Sequence, residues 1–139
     1  MQLDEYSMIF SKMLYSAFPE FEQYQQIREY SGLNEAYLII EIPSPSNKDN
    51  VLWISTCDEE ITVGFDWYHT HFGYSETDEE DFKIAIDHIR EILEEKIAIV
   101  IIKKNDSWVR SSIIRDKDLP LLNEDETLDL KSWNGTYFN

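Results

Sequence analysis

Two histidines two residues apart, His69 and His71, are the side chains of this 139-residue chain best suited to chemistry. They close the stretch Glu60-Ile-Thr-Val-Gly-Phe-Asp-Trp-Tyr-His-Thr-His-Phe-Gly73, with Asp66 before them and Glu76 beyond. Side chains two apart on a strand point the same way, so both imidazoles could meet one metal ion. The third histidine, His88, falls on a predicted helix, which leaves two histidines and a loop carboxylate as the metal set. The plainer use of the two rings is to pair with Asp66, Tyr68 or backbone at the strand end. The single cysteine, Cys57, precedes three acids whose field raises its pKa and blunts it as a nucleophile. A Gly-x-Ser-x-Gly elbow, a phosphate loop and a dinucleotide fingerprint are all absent. No catalytic constellation is complete, and neither an enzyme nor a cofactor is expected.

Ile61, Val63, Phe65 and Trp67 alternate with Thr62, Gly64, Asp66 and Tyr68, the period of a strand with one buried face. Continued, that alternation puts His69 and His71 on the apolar side. Upstream, Leu3, Tyr6, Ile9, Phe10, Met13, Leu14, Ala17 and Phe18 recur at helical steps and predict an amphipathic helix over 3–18, ended by Pro19. Residues 20–35 fit either a short helix or an edge strand over 24–30, with a break at Gly32. Strands are expected at 36–42 and 51–56, joined by the turn-rich stretch 43–50 and followed by a turn at 57–60. Thr77-Asp-Glu-Glu80 opens a helix over 77–95 as a capping box, and Phe82, Ala85, Ile86, Ile89, Ile92 and Leu93 form its apolar stripe. The run 97–102 predicts a strand covered on both faces, paired through a turn at 103–106 to a strand at 107–114. Trp133, Tyr137 and Phe138 predict a tail that docks on the body. The order α-β-β-β-α-β-β, with two main helices packed on a mainly antiparallel sheet of about five strands, makes a single α+β domain over 1–139.

Twelve bases against 28 acids leave a formal charge of -16, which repels nucleic acid and anionic membranes and favours cationic partners. Between residues 58 and 95, thirteen acids face only Lys83, Arg90 and Lys96 at its border. Asp78, Glu79, Glu91 and Glu94 fall off the helical stripe, and Trp67, Tyr68, Phe72 and Tyr74 lie beside them in sequence. Aromatic anchors rimmed by one sign of charge describe a steered protein interface. A solvated helix face is the bland alternative. One cysteine leaves no internal disulfide and suits a reducing compartment. The first residues are acidic where a signal peptide is basic, and no apolar run approaches the roughly 20 residues of a membrane span. A soluble cytoplasmic protein is expected.

The Gly-Phe-Asp-x-x-His-x-His-Phe strand end (residues 64–72), with the capped acidic helix and strand that follow, resembles bacterial immunity proteins of polymorphic toxin systems. The resemblance covers about residues 58–102. It implies a small acidic cytoplasmic protein that binds and neutralises a cognate basic toxin domain, such as a nuclease. It places Asp66, His69 and His71 in the shared motif. The expected partner surface is Asp66, Trp67, Tyr68, His69, His71, Phe72, Tyr74, Glu76, Asp78, Glu79, Glu91 and Glu94. The alternative is a small metal-binding protein or metal-dependent enzyme built on His69 and His71.

Overall fold

Asp4 starts the first helix: its Oδ1 accepts the Ser7 amide at 2.7 Å, and α1 runs Glu5–Ala17. Phe18 leaves helical geometry, and Pro19 opens a 3-10 turn over Pro19–Tyr24. The computed structural model describes residues 2–115 and 118–137. Thr77 caps the second helix, α2 (Asp78–Leu93), accepting the Glu80 amide at 3.2 Å. Glu80 makes no return bond to Thr77, so only half of the expected capping box forms.

The helices lie side by side and run the same way. Tyr6 and Phe10, early in α1, meet Phe82 early in α2, with ring centroids 4.9 and 5.3 Å apart. The Arg90 guanidinium, late in α2, sits 5.4 Å over the Phe18 ring at the end of α1. Phe10, Leu14, Phe82 and Ile89 are wholly or almost wholly buried. Truncating any of them to alanine is expected to cost about 2–5 kcal/mol.

Both helices cover one face of a six-stranded sheet. Its strands are β1 (Gln2–Leu3), β2 (Gln25–Glu29), β3 (Glu35–Pro43), β4 (Val51–Ser55), β5 (Ile61–Phe65) and β6 (Tyr68–Phe72). β3 to β6 form an antiparallel meander, β2 lies outside β3, and β1 pairs in parallel with the start of β3. Leu38, Ile40, Ile42, Leu52, Ile54, Ile61, Val63 and Phe65 face the helices. Where β4 ends, the Thr56 hydroxyl takes the Leu38 amide at 2.8 Å and meets the Ser7 hydroxyl at 2.5 Å. That buried pair ties the start of α1 to the sheet.

A second sheet of three antiparallel strands is centred on β7 (Ala98–Lys104), with β8 (Ser107–Ile114) and β9 (Glu126–Lys131) on either side. As expected of a doubly covered strand, Ala98 to Ile102 are all buried. Ile97, Ile99 and Ile101 join the same apolar cluster as the helices and the first sheet. Asn105 and Asp106, both at positive φ, make the two-residue turn between β7 and β8. The segment after β9 docks as expected: the Trp133 ring is 5.9 Å from Phe65, and Glu95 accepts the Asn134 and Thr136 amides. Phe138 lies outside the described residues.

The α+β class holds, with nine strands in two sheets among the described residues rather than about five in one. Residues 25–29 take the edge-strand alternative. The largest departure is at 60–73, which is a hairpin and not one strand. Asp66, at φ 56, and Trp67 form its two-residue loop, so Phe65 pairs with Tyr68. Opposed residues share a face, so Tyr68 and Phe72 continue the apolar set while His69 and His71 turn to the outer, helix-free face.

On that outer face Trp53 lies across Gly64, its cross-strand partner. A β-carbon at position 64 would stand 2.1 Å from the indole. Gly64→Ala is therefore expected to displace Trp53 and cost about 1–3 kcal/mol in chemical denaturation. Adding Trp53→Ala should relieve part of that loss, whereas strictly additive losses would contradict the contact.

Candidate functional site

The parallel helices put two positive helix ends at the same end of the molecule, and carboxylates gather there. Asp4 and Glu5 start α1; Glu76 and Asp78 to Asp81 start α2. The turn at Asp58, Glu59 and Glu60, before β5, comes to the same place. Tyr6 registers the convergence. Its hydroxyl is buried and has no hydrogen-bond partner among the described residues. Burial first, then the fields of Asp78, Asp81, Glu59 and Glu60, push its pKa well above the usual tyrosine value.

Some of these acids are committed internally. Asp4 caps α1, the buried Asp81 accepts the Ser75 amide at 3.0 Å, and Glu79 pairs with Lys83 at 3.3 Å. Glu60 holds His71 Nδ1 at 2.8 Å and accepts the Tyr74 hydroxyl at 3.1 Å. Glu5, Asp58, Glu59, Glu76, Asp78 and Glu80 make no ion pair with any described residue. Beside them stands Tyr74, 83% exposed. At this acidic pole six carboxylates from three segments stand without an ion pair to any described residue.

The twelve residues expected on one partner surface are divided among several places. His71, Tyr74, Glu76, Asp78 and Glu79 belong to the pole or its border. Asp66 and Trp67 sit at the far tip of the hairpin, about 16 Å away along five-residue strands. There Asp66 pairs with Lys131 at 2.7 Å, and Lys103 Nζ lies 4.6 Å over the Trp67 ring. Glu91 and Glu94 lie at the other end of α2, about 20 Å from its start, and are neutralised by Arg115 and Lys96. Tyr68 is buried, its hydroxyl 3.1 Å from His88 Nε2, and Phe72 packs partly buried on the same imidazole. Neither presents a free ring to a partner.

His69 packs on Trp53, with ring centroids 6.0 Å apart, and edge-on to His71 at 5.2 Å. His71 also meets the Thr62 hydroxyl at 2.9 Å. The histidines thus pair with Glu60, Thr62 and an indole, not with Asp66 or Tyr68, because the hairpin loop moved them to the opposite face. Among the described residues, no three of His, Cys, Asp and Glu converge as metal ligands. Cys57 has its pKa raised, by burial first and by Asp58 second, in the expected direction.

Two features escaped the sequence reading. One is the outer sheet face, where Arg28, Tyr37, Glu41, Trp53 and Cys57 help line a shallow cleft of about 390 Å³. Gly64 inside a strand pattern was its available signal, since such a glycine marks a close approach. The other is the contribution of Asp4 and Glu5 to the pole, which depends on helix direction and has no local signature.

No helix among the described residues is long and apolar enough to cross a membrane. No protein-family model matches the chain, and neither the curated proteins nor the solved structures provide a match.

His88 links this region to pH. Burial, and secondarily the Arg115 charge, lower its pKa from 6.5 to about 4. The folded state therefore disfavours the imidazolium. The stability this gives is complete above pH 6.5 and is lost as pH falls from 6.5 towards 4. A proton NMR titration should place the His88 midpoint near 4, and His88→Leu should flatten thermal stability over that window. A midpoint near 6.5 would contradict the burial.

Proposed function

We propose that this chain is a binding protein, not an enzyme, and that it neutralises a cationic toxin domain as immunity proteins do. The observation that supports it is the acidic pole: six carboxylates without an ionic partner among the described residues, beside an exposed tyrosine. Surplus charge of one sign at one end gives the molecule a directional field, which orients an approaching cationic partner. Carboxylates so placed can occupy basic groups that a nuclease-type toxin uses for phosphate. Tyr74 supplies a ring whose tip is polar and whose body is apolar, a residue type enriched among interface anchors. The Gly-Phe-Asp-x-x-His-x-His-Phe resemblance agrees with this reading, with His71 acting through Glu60 at the border of the pole.

This reading expects a toxin-like domain encoded beside this gene, and co-expression of the chain with that domain should restore growth of cells that the domain alone kills. Combined Glu59→Gln, Glu76→Gln, Asp78→Asn and Glu80→Gln should weaken binding at least about tenfold, given up to ~1 kcal/mol for each exposed charge. Its circular dichroism should stay unchanged, since Thr77 and Asp81 still hold the start of α2 and the four altered groups make no ion pair with any described residue. Equal protection by the neutralised variant would remove the pole from the mechanism. Growth arrest that persists with the native chain would overturn the immunity reading.

A further inference from the structure

β8 is an edge strand with an open side. It ends the order β8-β7-β9, and its backbone makes no hydrogen bond to any described residue other than those of β7. Natural edges are protected by lysine, proline, short length or bulges. The β8 sequence, Ser107-Trp-Val-Arg-Ser-Ser-Ile-Ile114, has neither lysine nor proline. Its one charge, Arg110, is held in a two-bond fork by Glu126, at 2.8 and 3.3 Å. The bulge that makes Val109 an extra residue affects only the first part, and Arg110 to Ile114 run in regular register with β7. By contrast β2, one edge of the larger sheet, carries Arg28 and Glu29 in five residues.

Charge decides which occupant fits. Most of this molecule repels a copy of itself. The side that bears β8 does not, because residues 98–131 carry six bases against seven acids, with Lys103 paired to Asp129 at 3.0 Å, Arg110 to Glu126 and Arg115 to Glu91. Arg115 reaches the late part of α2, so this side lies about 20 Å from the helix starts and their acids. Trp108, 52% exposed, and Val109 add apolar surface at the rim.

We propose that β8 pairs antiparallel with β8 of a second copy, over Arg110–Ile114, with the two-fold axis at Ser112. Ser112 is exposed and then faces its own counterpart, and its small side chain lets the strands approach. The two three-stranded sheets become one of six strands, and both acidic poles stay free at the outer ends. The inference is independent of what the poles bind.

Sedimentation equilibrium of the intact chain from about 10 µM to about 1 mM spans the range for so small an interface. The mass should rise from one 16.5 kDa chain towards two. Ser112→Lys sets two ammonium groups against each other and should leave a monomer, while Ile27→Lys on β2 should leave the dimer intact. Hydrogen exchange supplies a second reading on the unaltered protein, with amides of 110–114 slowing as concentration rises. The proposal is overturned by a monomer throughout with concentration-independent exchange. A dimer that survives Ser112→Lys, or one abolished by Ile27→Lys, overturns it equally.

Discussion

Two helices lying in parallel present their positive ends together, and that arrangement organises the rest of the molecule. Like-directed helix dipoles side by side are unfavourable unless negative charge meets them. Asp4 meets the α1 start as its cap, and Asp78, Glu79, Glu80 and Asp81 crowd the α2 start. The same carboxylates that compensate the helices become, collectively, a surface with more negative charge than the helices need. Glu59 and Glu60, brought in by the sheet, add to it, and the orphaned Tyr6 hydroxyl lies under their combined field. A structural requirement and a candidate binding surface are thus made from one set of side chains. The remainder, which makes no ion pair with any described residue, is the part that the proposed binding assigns to a partner.

The second organising event is a two-residue loop. Asp66 in left-handed geometry turns the chain after Phe65, and every side chain after it changes face relative to a straight strand. Tyr68 and Phe72 become core and close on His88; His69 and His71 become surface and stack beside Trp53. Asp66 is fixed by Lys131 of the second sheet, and Ser111 donates to the Trp67 carbonyl at 3.0 Å. The hairpin tip is therefore a joint between the two sheets. In the immunity resemblance, the conspicuous aspartate holds this joint while the histidines border the acidic pole.

Periodicity carried both long helices, whose three- and four-residue repeat only a helix satisfies, while the strands at 36–42, 51–56 and 97–102 were legible as short β-branched runs bounded by turn residues. Thr77 announced α2 and Pro19 ended α1 through chemistry local to a few residues. The hairpin was hidden because Phe-Asp-Trp-Tyr lacks glycine at the turn and its apolar alternation continues through the loop into Trp67. An aspartate at positive φ leaves little trace in composition. The short strands β1 and β2 form through pairing with β3, so neither needs strong propensity of its own. The acidic region was legible as an excess but not as a place. Glu91 and Glu94 share a helix with Asp78 and Glu79, yet rise per residue puts them at the opposite end, beside Arg115 and Lys96. Only helix direction, a tertiary property, brings Asp4 and Glu5 to the pole instead.

The association rate with the proposed cationic toxin domain, followed by stopped flow across ionic strength, tests the central claim most directly. An acidic pole that steers capture predicts a rate falling at least about tenfold from roughly 10 mM to roughly 300 mM salt, as screening shortens the reach of the field. Neutralising Glu76, Asp78 and Glu80 should flatten that dependence while leaving dissociation nearly unchanged. A rate indifferent to salt in the native chain, or a slope that survives the neutralisation, would contradict the account.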